Sequence, residues 1–124
     1  MRLVTTIDGV LLKSPNGGAG FVSRGGMFAN AKRIRELRQT IYLRVLAMVG
    51  RRKVTGIPRV TLTRLSAGEL DVDNLHAACK PCWDSVARGL GLKDDRALQK
   101  AGAVAQETCP RGSCGVRIEV EIDE

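Results

Sequence analysis

Between Phe28 and Val49 the apolar residues Ile34, Leu37, Ile41, Val45 and Met48 recur at steps of three and four, the spacing that lines one face of an α-helix. A stripe of this length has to be laid on a second hydrophobic surface, because an isolated helix gains little from propensity alone. Two later segments offer such surfaces. Val60-Thr61-Leu62-Thr63-Arg64-Leu65 alternates as a strand. Leu75, Cys79, Cys82 and Val86, with Leu90 just beyond, form a second helical stripe over about 74–88. Gly50 suits the C-terminal cap of the first helix, and Arg51-Arg52-Lys53 complement the negative end of its dipole. Gly89 and Gly91 stop the second helix. Pro81 falls inside it, either as a kink or near the first turn of a helix that begins later.

The flanking regions read as strands and loops. Arg2–Ile7 alternates into Asp8-Gly9, a type I′ turn signal that predicts a hairpin with Val10-Leu11-Leu12. Residues 14–26 are a glycine-rich loop, and no Gly-Lys-Ser/Thr follows, so a phosphate loop is not indicated. Ala101–Thr108 and Cys114–Ile122 read as two strands, joined through Cys109–Ser113, whose Pro110 and Gly112 suit a hairpin tip. The expected order is β(β)-α-β-α-β-β: one α+β domain over residues 1–124, with a small mixed sheet and two helices.

A chain of 124 residues can bury a core of its own. Its longest apolar runs, around 42–49 and 102–105, are too short to span a bilayer, and Asp8-Gly9 interrupts the N-terminus before a secretory segment forms. A soluble, cytoplasmic protein is expected. Twenty Lys and Arg against thirteen Asp and Glu leave a net charge of +7, which favours polyanionic partners through counterion release. The bases concentrate at Arg24, Lys32, Arg33, Arg35, Arg38, Arg44, Arg51, Arg52 and Lys53, with Glu36 the only acid among them. All of these except Arg44 are candidate DNA contacts. Phe21, Phe28, Tyr42 and Trp83 are too few for a base-stacking platform.

The acids gather elsewhere. Asp71-Val72-Asp73-Asn74 precedes the second helix, and the Gly89–Leu92 turn leads on to Asp94-Asp95. An extended 71–73 would put both carboxylates on one side; Asp73 or Asn74 would equally serve as helix cap. Two carboxylate clusters joined by one helix and a tight return are expected to converge on hard cations, which suits phosphodiester hydrolysis. Capping and solvated turns are the competing reading.

The segment Asp71-Val-Asp73-Asn74…Lys80-x-x-x-Asp84-Ser-Val…Gly91-x-x-Asp94-Asp95 resembles the RusA family of Holliday junction resolvases, common in bacteriophages and prophages. The strand before the motif, the basic helix before that and the terminal strands resemble the family's layout as well. The resemblance implies a homodimer that cuts four-way or other branched DNA with Mg²⁺ or Mn²⁺, without a small-molecule cofactor or a membrane. It implies Asp71, Asp73 and Asp95 as metal ligands, Asp94 as an adjacent acid of shared role, and Lys80 as the lysine that faces the phosphate. Lys80 stands three residues later than in the namesake pattern, where this chain has Ala77. That keeps roughly the same helix face about 4.5 Å farther along the axis.

Four cysteines, Cys79-x2-Cys82 and Cys109-x4-Cys114, invite a zinc reading. Against it, Cys79 and Cys82 lie on the apolar stripe, where cysteine behaves as a small core residue. They also begin too far into the helix for a thiol-disulfide motif. Cys109 and Cys114 flank a turn and would pair only under oxidising conditions. His76, the only histidine, reads as a helix-surface residue or an extra zinc ligand. The alternative function is a catalytically inactive, zinc-stabilised nucleic-acid-binding module.

Overall fold

The computed structural model describes residues 1–13 and 24–122, with side chains in the long helix described from residue 30 onward. The elements in chain order are β1 (Arg2–Asp8), α1 (Arg24–Val49), β2 (Arg59–Ser66), α2 (Val72–Gly89), α3 (Arg96–Ala101), β3 (Ala103–Thr108) and β4 (Cys114–Glu121). The four strands form one mixed sheet in the order β1-β4-β2-β3. This is the expected α+β class; the glycine-rich loop lies mostly outside the described residues.

Both long helices follow their apolar stripes. Leu37, Ile41, Val45 and Val49 of α1 are buried, as are Leu75, Cys79, Cys82 and Val86 of α2 with Leu90 after it. Gly50 takes φ +60° past the end of α1, and its N–H donates to the Leu46 carbonyl, the glycine-specific way to end a helix. Arg52 donates from Nη1 to the carbonyls of Met48 and Val49, so one of the three bases after α1 bonds the helix end directly. The two helices meet at Gly89, where a Cβ would stand 2.8 Å from the Val45 side chain and 3.3 Å from the Tyr42 carbonyl. Pro81 sits in mid-helix, because α2 begins earlier than a first-turn position for Pro81 would need.

Neither expected hairpin forms. β1 pairs along its whole length with β4, from Arg2 opposite Glu121 to Asp8 opposite Gly115. Gly9 adopts φ +81°, yet its N–H donates to the Cys114 carbonyl rather than closing a turn onto Leu12. Leu12 instead turns into the core, 1% exposed. At the other end, β2 lies between β3 and β4: it pairs parallel with β3 and antiparallel with β4. The reason is burial. β4 carries Val116, Ile118 and Val120, all fully buried, and suits a central position. β3 offers Val104 as its one large apolar side chain and suits an edge. The Cys109–Ser113 link therefore passes the end of β2. Arg96–Ala101 forms the short helix α3, which was not expected and which takes Ala101 from the start of the expected strand Ala101–Thr108, so that β3 begins at Ala103.

The register sorts the sheet into two faces. Leu3 and Ile7, Val60 and Leu62, Val104, and Val116, Ile118 and Val120 all join the core beneath the helices. On the other face Arg117 crosses β2 to reach Glu107 on β3, and Arg2 pairs with Glu119 at 2.5 Å. Arg117 is the register partner of Thr63 and reaches across β2 on this face, where Thr63 and Leu65 are buried.

Candidate functional site

Asp71 ends the turn after β2. Its backbone is extended (φ −66°, ψ 168°) and its side chain caps α2. Oδ1 accepts from the Asn74 N–H and Oδ2 from Asn74 Nδ2, each at 2.9 Å. The cap is thus Asp71, not Asp73 or Asn74. Asp73 lies in the first turn of α2, so 71–73 is not the extended segment that would align both carboxylates. The positive end of the α2 dipole favours the Asp73 charge. Both aspartates are exposed, and each Asp71 oxygen keeps a second lone pair for another partner.

Asp94 and Asp95 stand beyond the other end of the same helix. Asp94 Oδ1 accepts from the Arg96 N–H at 3.1 Å, and Asp95, at the start of α3, accepts at Oδ2 from Gln99 Nε2 at 2.9 Å. The helix between the two acidic pairs has 18 residues, about 27 Å of axis. The expected convergence within one chain therefore does not occur. The β2-α2-β3 crossover places Asp71 and Asp73 after the C-terminal end of β2 and Asp94 and Asp95 before the N-terminal end of β3. Among the described residues no three His, Cys, Asp or Glu side chains come together as a metal-holding group. The donors are nonetheless hard carboxylate oxygens, and Mg²⁺ commonly takes one or two of these and completes its shell with water and substrate phosphate. By donor type, the Asp71–Asp73 turn fits such an ion.

Lys80 is exposed on α2. Seven residues separate it from Asp73, two helical turns to within about 20°, so the two share one solvent-facing strip. Helical side chains lean toward the N-terminus, which directs the Lys80 stem toward the acidic turn.

That turn is held from below by two residues that sequence reasoning did not single out. Arg64, 6% exposed, donates from Nε to the Leu12 carbonyl at 2.9 Å and from Nη1 to the Gly68 carbonyl at 2.8 Å. Gln106 accepts from the Leu70 N–H at Oε1 (3.0 Å) and donates from Nε2 to the Leu70 carbonyl (2.7 Å). An arginine on the inward row of an alternating strand was the available signal, since a buried charge needs dedicated partners.

The basic residues divide by task. Arg33 donates to the Leu11 carbonyl and to Asn30 Oδ1, and Arg52 bonds the end of α1 as described. Lys32 approaches Glu36 at 4.0 Å. Arg35, Arg38, Arg51 and Lys53 are exposed and remain the clearest phosphate-binding candidates; the Arg24 side chain lies outside the described residues.

Cys79 and Cys82 are fully buried in the apolar core. Burial pushes the Cys79 thiol up to about 11 against the opposing pull of Arg64, and burial with the neighbouring Cys79 pushes Cys82 higher still. Thr108 and Cys114 lie opposite Ser66 on either side of β2, so Cys109 and Cys114 start from non-adjacent strands, and all four thiols are free. The raised Cys79 and Cys82 thiols stay protonated at pH 8, and the thiolate is the nucleophile. Iodoacetamide should therefore modify Cys109 and Cys114 in the native protein and reach Cys79 and Cys82 only after denaturation, as read by peptide mass spectrometry. Equal labelling of all four in the native state would contradict the buried placement. No helix of the described residues is long and apolar enough to cross a membrane. No protein-family model matches the chain, and no curated protein matches its sequence.

Proposed function

We propose that this protein is a divalent-cation-dependent endonuclease of the RusA type that acts on four-way or other branched DNA as a homodimer. The observation that carries the reading is the Asp71–Asp73 turn at the N-terminus of α2, with two exposed carboxylates and Lys80 on the same helix strip. Asp71 and Asp73 would hold Mg²⁺ or Mn²⁺ between the protein and a DNA phosphate. A cation there supplies an activated water and stabilises charge developing at phosphorus. Lys80 contributes a fixed positive charge toward the same phosphate. Arg35, Arg38, Arg51 and Lys53 bind the backbone without reading bases.

The separation of the two acidic pairs supports the dimer. A two-fold axis can set Asp94 and Asp95 of one copy beside Asp71 and Asp73 of the other, and it does so twice in one closed assembly. Two such sites suit paired cuts in opposed strands.

The test is incubation with an end-labelled synthetic four-way junction in Mg²⁺, with a chelator and a linear duplex of the same sequence as controls. Paired, cation-dependent cuts confined to the junction are expected. A second reading, a binding module without catalysis, draws on the absence of a three-carboxylate group among the described residues. Junction binding without cutting in either Mg²⁺ or Mn²⁺ would select it.

A further inference from the structure

Arg64 and Gln106 are register partners on neighbouring parallel strands, β2 and β3. Both side chains grip the one short turn, 67–70, that leads into Asp71. Arg64 takes the Gly68 carbonyl, and Gln106 takes both backbone groups of Leu70. The Gln106 amide thus pairs with Leu70 as a further strand would, with one donor and one acceptor in a fixed plane. Arg64 is anchored in turn through Nε to the Leu12 carbonyl, so it cannot follow the turn if the turn shifts. Every described buried side-chain nitrogen and oxygen is satisfied.

We infer that Gln106, seated beside Arg64, is a positioning residue: the two form a clamp that fixes the Leu70–Asp73 backbone and so the aim of the two carboxylates. The role rests on the nuclease reading for its catalytic consequence, but the clamp itself can be measured without activity. Both residues act through the backbone of the turn. Their effect is on where Asp71 and Asp73 point, and a displacement on the order of 1 Å at a reacting centre can cost about a hundredfold in rate.

Gln106→Met tests this, because it keeps side-chain length and removes both hydrogen bonds. Two readouts are taken on the full-length protein: amide hydrogen exchange of Leu70–Asn74, and junction cleavage resolved into kcat, KM and the Mg²⁺ concentration for half-maximal rate. Expected are exchange at Leu70 faster by about tenfold or more with Leu62 and Val86 unchanged, as a single local hydrogen bond is lost. Alongside it, kcat should fall about 30-fold and the Mg²⁺ requirement rise several-fold, with KM within about twofold. Should Gln106→Met fail to fold, Gln106→Leu, which also removes both the acceptor for the Leu70 N–H and the donor to its carbonyl, is read the same way. Unchanged exchange at Leu70–Asn74 would overturn the clamp. Faster exchange with wild-type kcat and Mg²⁺ requirement, where Asp73→Asn is inactive, would overturn its positioning role. A wild-type protein that cuts no branched DNA would sink the nuclease reading instead, and the exchange data would then decide the clamp by itself.

Discussion

Asp73→Asn is expected to lower junction cleavage by about a thousandfold or more while leaving junction affinity within about twofold. The magnitude follows from losing several kcal/mol of cation-mediated charge stabilisation, at 1.36 kcal/mol per factor of ten. The substitution keeps the side chain's size and removes its charge. Asp73 is exposed and its carboxylate has no hydrogen-bond partner among the described residues, so the fold loses only a first-turn carboxylate, worth about 0.3–1 kcal/mol. A change in affinity as large as the change in rate would point to a binding role rather than a ligand role.

The same variant reports on the dimer. Asp95→Asn is expected to be inactive on its own as well. Mixed and allowed to exchange subunits, the two inactive proteins should regain nicking of one strand. The heterodimer then carries one site with both acidic pairs intact and one with both damaged. If all four aspartates served a site within a single chain, every site in the mixture would stay damaged and no activity would return. Persistent inactivity after verified exchange would therefore count against shared sites. The 27 Å or so between the ends of α2 is the reason to expect recovery.

The largest effect on stability is expected at Gly102, between α3 and β3. A Cβ there would stand 2.4 Å from the Val60 carbonyl, 2.7 Å from the Leu98 carbonyl and 2.7 Å from the Trp83 ring. Two of these atoms belong to backbone and cannot swing aside. The conformation itself is unremarkable, φ −94°, so the glycine is required by close approach and not by handedness. Gly102→Ala should cost about 3 kcal/mol or more, lowering the thermal midpoint by about 10 °C in a domain of this size. Gly68→Ala, where nothing lies within 4 Å of the new methyl, should leave the midpoint within about 2 °C. Equal midpoints for the two variants, measured by circular dichroism, would show that α3 can shift away from β2.

Local pattern carried much of the fold. The stripes of α1 and α2, the alternation of β2 and the glycine stop at Gly50 depend on residues a few positions apart, and each appears in the structure where its periodicity puts it. A helix start within 71–74 was legible for the same reason, since it declares itself within four residues, but the cap fell at Asp71 and not at Asp73 or Asn74. Pairing is different. Whether β4 lies beside β3 or beside β2 depends on which strand buries more apolar surface, and that is a comparison across the whole chain. The same competition moved β1 from a local hairpin to Cys114–Glu121, more than a hundred residues away.

The acidic residues show the division most clearly. Their chemistry, carboxylates and a lysine at helical spacing, is a property of the sequence alone. That α2 crosses between two parallel strands, and so holds Asp71–Asp73 and Asp94–Asp95 apart, was decided only by tertiary structure. A helix that links parallel strands must return to the end where the first strand began. The partners of Arg64 and Gln106 were hidden on the same account, because backbone carbonyls at Leu12, Gly68 and Leu70 carry no side-chain signal and meet these two residues only once the sheet is assembled.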